Sequence, residues 1–395
     1  IDHNLEWFYR MIKQPKERIK RVLKVVPEYV KQSSIKQKPK RIVISGYYGF
    51  GNIGDEAILR TLMRDLKSIE TDNSKLSISV FSANPYSTST LTDAFAVERF
   101  SLIDAVKEIF RSDALISGGG GLIQDITSYK SPLYYLGIIQ IARLFRKPVF
   151  IYANGIGPLN GKINKILCKF VLNQTNIVTV RDEASKKILE SIGVKRSIVT
   201  VDPIFSLNPS ETTNIDSYLF YKDFIAVCFG PNRKTRNKCD DIAAFLDHVI
   251  EKTKLPVVFT PFYPYYDKRF SKLIQSKMKH PTNLINTFTT PEDMLSLLKR
   301  CKFGIGMRLH FMILLSLLNK PILPFIYDPK VKTFADILKL KTVFTMNNSL
   351  EIMLKNFDQF DANKAQELDY IDEVKELRSR NNLNIESMKA FIDSL

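Results

Sequence analysis

The period of the hydrophobic pattern changes repeatedly along the chain, and each change marks an element. Short apolar, β-branched runs at 42–45, 78–82, 114–117, 149–153, 177–180 and 198–201 read as buried strands. Between them, apolar residues recur at helical spacing over 55–68, 102–111, 133–145, 162–172 and 183–192. This alternation over 41–207 predicts a parallel sheet with helices on both faces. Residues 208–218, NPSETTNIDSY, lose all periodicity and read as a linker. A second series follows, with strands at 224–229, 257–261 and 322–326 and helices at 241–252, 268–278 and 291–299. It predicts a second, smaller α/β domain over 219–345, in which Gly304 and Gly306 read as a glycine-rich turn opening the apolar helix FMILLSLLN (311–319). A mostly charged helical tail completes the chain over 346–395.

Residues 1–40 precede this pattern as a basic helical extension, with 11 Lys or Arg against four acids. Leu5, Phe8, Met11 and Ile12 form one helical face, and Ile19, Val22, Leu23 and Val26 a second, with Pro15 between them. Such a segment suits an anionic membrane surface; it also suits an arm packed on its own protein with a solvated charged face. Nucleic acid is not an expected partner, because the extension lacks interleaved aromatics and the chain carries no nucleic-acid motif. The formal net charge of +17 instead favours an anionic substrate or surface.

The four cysteines, Cys168, Cys228, Cys239 and Cys301, lack metal-ligand spacing and read as reduced thiols of a cytoplasmic protein. The longest apolar run, near 311–318, is too short to span a bilayer, and no secretory signal is expected.

Candidate chemistry collects where strands end. The stretch 41–66, RIVISGYYGFGNIGDEAILRTLMRDL, reads as strand, glycine-rich turn and helix. Asp55 stands where an N-cap would be, and Glu56 favours the positive end of the helix dipole. A backbone loop feeding a helix N-terminus is a ready anion site, although a tight turn that binds nothing would carry the same glycines. Gly118, Gly119, Gly120 and Gly121 follow the strand ALIS. They let backbone N–H groups approach a phosphate, or they answer a steric demand from a neighbouring loop. Arg181 ends another strand. It can clamp a carboxylate or phosphate with two parallel hydrogen bonds, or pair with Asp182 or Glu183. The aromatic loop 261–266, PFYPYY, suits either a sugar ring or ordinary packing.

Several of these motifs share a pattern. GYYGFGNIGDEAIL (46–59), GIGP (155–158), RDEAS (181–185), the DP turn at 202–203, MRLH (307–310) and YDPKV (327–331) stand in the order found in the polysaccharide pyruvyl transferase family. The sequence resembles that family over about 41–340. The first motif is neither the dinucleotide GxGxxG nor a P-loop. The turn GPNRKTR (230–236) departs from the family pattern, so no role passes to Asn232, Arg233 or Lys234.

The resemblance implies an α/β protein of two Rossmann-like domains, 41–207 and 219–345, facing across a cleft in a GT-B-like architecture. It implies transfer of the enolpyruvyl group of phosphoenolpyruvate onto a cell-surface glycan or lipid-linked saccharide, giving a cyclic pyruvate ketal. In that reading His310 is the general acid, with Arg308 and Asp55 completing the catalytic set. Arg181, Arg308 and Lys330 hold the donor's carboxylate and phosphate. Asn52, Gly118, Gly119, Gly120, Gly121, Leu309 and Asp328 line the substrates. No metal, nucleotide or other cofactor is expected, and phosphoenolpyruvate is the co-substrate. The expected location is the cytoplasm, with the basic extension able to hold the chain on the inner face of the membrane. The competing readings are a nucleotide-sugar glycosyltransferase of the same architecture and a silent glycan-binding module. The first predicts a carboxylate poised for a ribose; the second needs no histidine acid.

Overall fold

The computed structural model describes residues 38–71, 74–126, 128–211, 213, 222–286, 290–360 and 370–395. The two predicted helical faces before Pro15 and after it therefore lie outside the described residues, as does most of the polar stretch 208–218. The chain divides into two compact units. The first holds residues 38–50, Ile58–Pro203 and Arg380–Leu395; the second holds Gly51–Ala57 and Ile204–Ser379.

The first unit is built on strands β1 (Lys40–Tyr48), β2 (Leu76–Ser82), β3 (Phe95–Glu98), β4 (Ala114–Ser117), β5 (Gly120–Ile123), β6 (Val149–Ile156), β7 (Ile177–Val180) and β8 (Ile198–Val199). Their order is β3-β2-β1-β4-β6-β7-β8, with β5 beside β6, and the pairings are parallel. The sheet is buried on both sides, which explains the continuous apolar runs. In β1, Ile42 and Ile44 join one core while Val43 joins the other.

The helix Ile53–Ser68 covers the first face with Leu59, Leu62 and Leu66. The helix Asn381–Asp393 lies on the same face through Met388, Phe391 and Ile392, and Phe391 meets Phe150 at 5.4 Å between ring centroids. Each of these three side chains contributes about 1.5–3 kcal/mol by burial. Asn384 Nδ2 donates to the Val201 carbonyl at 3.0 Å, and Lys40 Nζ to that of Ile392 at 2.7 Å. Burial raises the Asp65 carboxyl above its ordinary range, although Arg64, the Tyr152 hydroxyl and Asn381 oppose the shift. The last helix thus completes the first unit.

The second unit contains β9 (Phe224–Cys228), β10 (Val257–Phe259), β11 (Asn283–Leu284), β12 (Cys301–Gly306), β13 (Ile322–Ile326) and β14 (Phe344–Thr345), in the order β11-β10-β9-β12-β13-β14. It too is parallel.

Two departures from the expected pattern have clear causes. The helix Pro85–Thr92 and β3 arise in a polar stretch without periodicity. The helix is made by its caps: the Asn84 side chain accepts from Ser87 N, and Asp93 closes the other end in the left-handed region at φ 56°. Gly304 and Gly306 belong to β12, not to a turn. A Cβ on Gly304 would stand 2.2 Å from Leu315 Cδ1, and one on Gly306 2.7 Å from the Cys228 carbonyl oxygen. These glycines let the apolar helix Leu309–Leu317 lie close on its own strand. The four cysteines are buried free thiols. Among the described residues, no helix is long and apolar enough to cross a membrane.

Candidate functional site

In each sheet the strand order reverses once, between β1 and β4 in the first unit and between β9 and β12 in the second. Parallel sheets bind ligands just beyond the carboxyl ends of such strands. Some candidate residues fall at these two places, whereas Arg181 follows β7 and Asp328 and Lys330 follow β13.

In the first unit, β1 runs past Gly46 to Tyr48, and β4 ends at Ser117. Gly118 N donates to the Ser45 carbonyl at 2.7 Å, and Asn154 Nδ2 donates to the Gly118 carbonyl at 2.6 Å. A Cβ on Gly118 would meet the Tyr48 hydroxyl at 2.1 Å, and one on Gly119 would meet Ile58 at 3.0 Å. Those two glycines answer packing. Gly120 and Gly121 begin β5 rather than extending a loop; Gly121 is exposed, with open space where a Cβ would stand.

Arg181 follows β7 and is buried. Its Nη1 pairs with Asp202 at 2.9 Å, while Asp182 stands 3.5 Å from Nε and caps the helix Glu183–Ile192 through Ser185 N. The principal partner is therefore Asp202 of the DP turn, not the adjacent acids. A Cβ on Gly155 would lie 2.7 Å from the Arg181 guanidinium, so this glycine of the GIGP turn makes room for the arginine.

Arg99 went unnoticed in the sequence because it lies in the same polar stretch as β3. Only 1% exposed, it donates from Nη1 to the Gly46 carbonyl at 2.9 Å, with the rings of Phe50 and Tyr134 at 5.0 and 4.5 Å. Among the described residues no carboxylate pairs with it, and the rings take that part by cation–π attraction. It braces the carbonyl from which the glycine loop departs.

In the second unit, Asn52, and not Asp55, opens the helix Ile53–Ser68. The Asn52 side chain accepts from Gly54 N at 3.1 Å, and its carbonyl accepts from Glu56 N at 2.9 Å. Asp55 lies inside the first turn and is 8% exposed. Asparagine won the cap because its side chain reaches the free amide two residues on. Ile53 N donates to the Phe262 carbonyl at 2.9 Å. A Cβ on Gly54 would fall 1.7 Å from His310 Nδ1, so the signature glycine and the imidazole occupy adjoining space.

Arg308 follows β12 and precedes the helix that carries Leu309 and His310. Its Nε donates to Asp267 Oδ2 at 3.2 Å, and its Nη2 to the other oxygen of the same fully buried carboxylate. Tyr327 lies against the same guanidinium; burial raises its phenol above the ordinary range, and Arg308 opposes the shift. For Arg308 itself burial favours the neutral form, but Asp267 outweighs that and raises its pKa. Gly230 sits so close that a Cβ would meet Arg308 Nη2 at 2.2 Å. Asp328 caps the helix Pro329–Ile337 by accepting from Lys330 N, and Lys330 Nζ stands 3.7 Å from its carboxylate.

Arg181, Arg308 and Lys330 were expected as holders of a free anion, and each has an aspartate beside it. Asp202 and Asp267 orient the two guanidiniums and reduce their net charge. Asp202 stood in a motif, but nothing in the pattern marked Asp267, an acid in the first turn of the helix Pro264–Gln275. In the aromatic loop, Phe262 is buried, while Tyr265 and Tyr266 are 64% and 46% exposed. Among the described residues no group of three or more His, Cys, Asp or Glu is placed to hold a metal ion.

Solved structures share this fold. The UDP-GlcNAc 2-epimerase of Neisseria meningitidis bound to UDP-GlcNAc is 14% identical, with a TM-score of 0.61 covering 89% of this chain and 99% of that one. A putative UDP-N-acetylglucosamine 2-epimerase from Listeria monocytogenes is 10% identical at a TM-score of 0.61, covering 89% and 97%. The epimerase of Methanocaldococcus jannaschii is 13% identical at 0.56, covering 87% and 99%. At such identities the likeness is one of fold, of GT-B-like type. No curated protein matches the chain. The family profile of polysaccharide pyruvyl transferase matches residues 52–329, which include the Asn52 cap, Arg181, the Arg308–His310 corner and Asp328. The chain belongs to the polysaccharide pyruvyl transferase family.

Proposed function

We propose that this transferase moves the enolpyruvyl group of phosphoenolpyruvate onto two hydroxyls of a sugar in a glycan or lipid-linked saccharide, forming a cyclic ketal. The observation that carries the reading is the packing of His310 against Gly54 of the signature loop, beside a guanidinium fixed by Asp267. The imidazolium of His310 protonates the methylene carbon of the donor, leaving an oxocarbenium-like centre on the adjacent carbon. A first acceptor hydroxyl adds to that centre and loses its proton to Asp55. Phosphate then departs, taking the bonding electron pair and the proton held by Asp55, which restores the carboxylate. The second hydroxyl closes the ring, and its proton returns to the imidazole. Histidine suits the task because its ordinary pKa lies near neutrality. Arg308, Lys330 and Arg181 hold the donor's carboxylate and phosphate and stabilise the leaving group. Asn52, Leu309, Asp328 and the exposed Gly121 border the substrates.

The test is incubation with phosphoenolpyruvate and a panel of saccharides, reading released phosphate and the acid-labile ketal by mass. Turnover is expected to survive a chelator. Turnover lost in the chelator and restored by a divalent ion would refute the metal-free mechanism. A second reading, a nucleotide-sugar glycosyltransferase, draws support from fold neighbours whose structures hold UDP-GlcNAc. It requires the same assay to turn over with UDP-GlcNAc and not with phosphoenolpyruvate.

A further inference from the structure

The helix Lys162–Leu172, KINKILCKFVL, contributes Asn164, Cys168, Val171 and Leu172 to the interior of the first unit. Its outward half is unusual. Ile163, Ile166 and Phe170 are 58%, 66% and 58% exposed, and Lys162, Lys165 and Lys169 are exposed beside them. At about 100° per residue the three apolar side chains share one strip and the three lysines the adjoining strip. The helix contains no acid. The patch extends at the helix start, where Tyr129, itself 45% exposed, lies against Gly161 and accepts from Asn164 Nδ2 through its carbonyl at 2.8 Å. Asp125 is the nearby carboxylate. Amides of Asn160 and Gly161 and the side chain of Asn164 occupy its oxygens and hold it below its ordinary range, against the opposing effect of burial.

A water-facing helix gains nothing from large apolar side chains on its outer strip, and contiguous apolar patches mark contact surfaces. The lysines decide what makes the contact. Protein–protein interfaces are depleted in lysine, whereas a helix with apolar and lysine strips side by side fits the boundary between headgroups and acyl chains. The basic extension over 1–40 is no match for this face, because its excess of positive charge repels the lysines. We propose that the face formed by Ile163, Ile166 and Phe170 rests on an anionic lipid bilayer, with Lys162, Lys165 and Lys169 among the lipid phosphates. The site would work independently of the basic extension and of the donor the enzyme uses.

The only tryptophan in the sequence is Trp7, so a reporter can be placed cleanly. In the full chain carrying Trp7→Phe, the Ile166→Trp variant is mixed with phosphatidylglycerol vesicles whose acyl chains are brominated. Its fluorescence is expected to shift to the blue and to be quenched. The effect should weaken with salt and be lost when Lys162, Lys165 and Lys169 are all changed to Glu. Ile163→Ser together with Phe170→Ser should weaken vesicle affinity about tenfold or more, because the lysine attraction alone remains. Unquenched fluorescence from vesicles that carry the chain down on sedimentation would overturn the proposal, as would failure to sediment at low salt. A blue shift without lipid, rising with protein concentration and accompanied by a doubled mass, would assign the face to a second copy instead.

Discussion

Replacing Gly54 by alanine sets two effects of opposite sign against each other. Gly54 is the second residue of a helix and its φ is not positive, so the backbone accepts alanine and helix propensity improves by up to about 1 kcal/mol. The new methyl, however, would stand 1.7 Å from His310 Nδ1, 2.4 Å from Cγ and 2.7 Å from Cε1. Non-bonded carbons settle at about 3.5–4.0 Å, so the imidazole must retreat by about 2 Å. The main chain cannot follow it, because Phe311 is fully buried against the glycines of β12. The ring must turn about its own side-chain bonds. Overpacking of this kind costs about 1–3 kcal/mol, so net stability should fall by no more than about 3 kcal/mol. A misplacement of about 1 Å can cost 10²-fold in rate, so turnover should drop at least about that far. Single-turnover phosphate release reads the chemical step, and urea denaturation reads stability. Gly51→Ala is the control: its φ of 70° strains alanine by about 1–2 kcal/mol, but nothing lies within 4 Å to be displaced. Gly54→Ala turnover within about threefold of the parent, at equal stability, would refute the coupling of this glycine to a catalytic imidazole.

His310→Gln keeps the size and hydrogen bonding of the side chain but cannot donate the proton; turnover should fall about 10²–10⁴-fold with the circular dichroism spectrum unchanged. Near-parental turnover would place the acid elsewhere. Asp267→Asn leaves Arg308 without its fork and should cost about 3 kcal/mol in urea denaturation, the low end for a buried pair because 26% of the Arg308 side chain still meets water. The KM for phosphoenolpyruvate should rise as the guanidinium loses its orientation. Removing residues 1–37, short of β1, should weaken sedimentation with acidic vesicles and leave turnover on a soluble acceptor unchanged; equal sedimentation would return the extension to a packing role. Asp125, held below its ordinary range, should contribute stability that is complete above the usual aspartate pKa of 3.8 and fades as pH falls through its lower native value. The stability gap between the parent and Asp125→Asn should therefore be full near neutrality and close in strong acid.

The sequence made the strands legible wherever a sheet is covered on both faces, since burial on both sides leaves an unbroken apolar run such as IVIS before Gly46. It hid elements made by capping or close approach. The helix Pro85–Thr92 has almost no apolar stripe, and β12 carries two glycines that read as a turn until Phe311 and Leu315 are seen against them. The candidate cations were visible in motifs, as were Asp202 and Asp328, but Asp267 was not, nor was the pairing of either guanidinium with its aspartate. Asp202 lies 21 residues beyond Arg181 and Asp267 lies 41 before Arg308, and no local period links residues at such distances. The cap at the signature helix was misplaced by three residues for a local reason, the choice between two side chains that both accept from a backbone amide.

The closing helix has a consequence for biosynthesis. Strands β1 to β8 leave the ribosome first, yet the part of one sheet face that the helix Ile53–Ser68 does not cover stays open until Met388, Phe391 and Ile392 have been made, after the whole second unit. Throughout that interval the nascent first unit presents apolar surface around Phe150 and Ile44 to the surrounding cell. The second unit, begun later, can reach its core before the first unit is sealed. A truncation before Asn381 would leave the earlier-made half of the protein a long-lived client of chaperones.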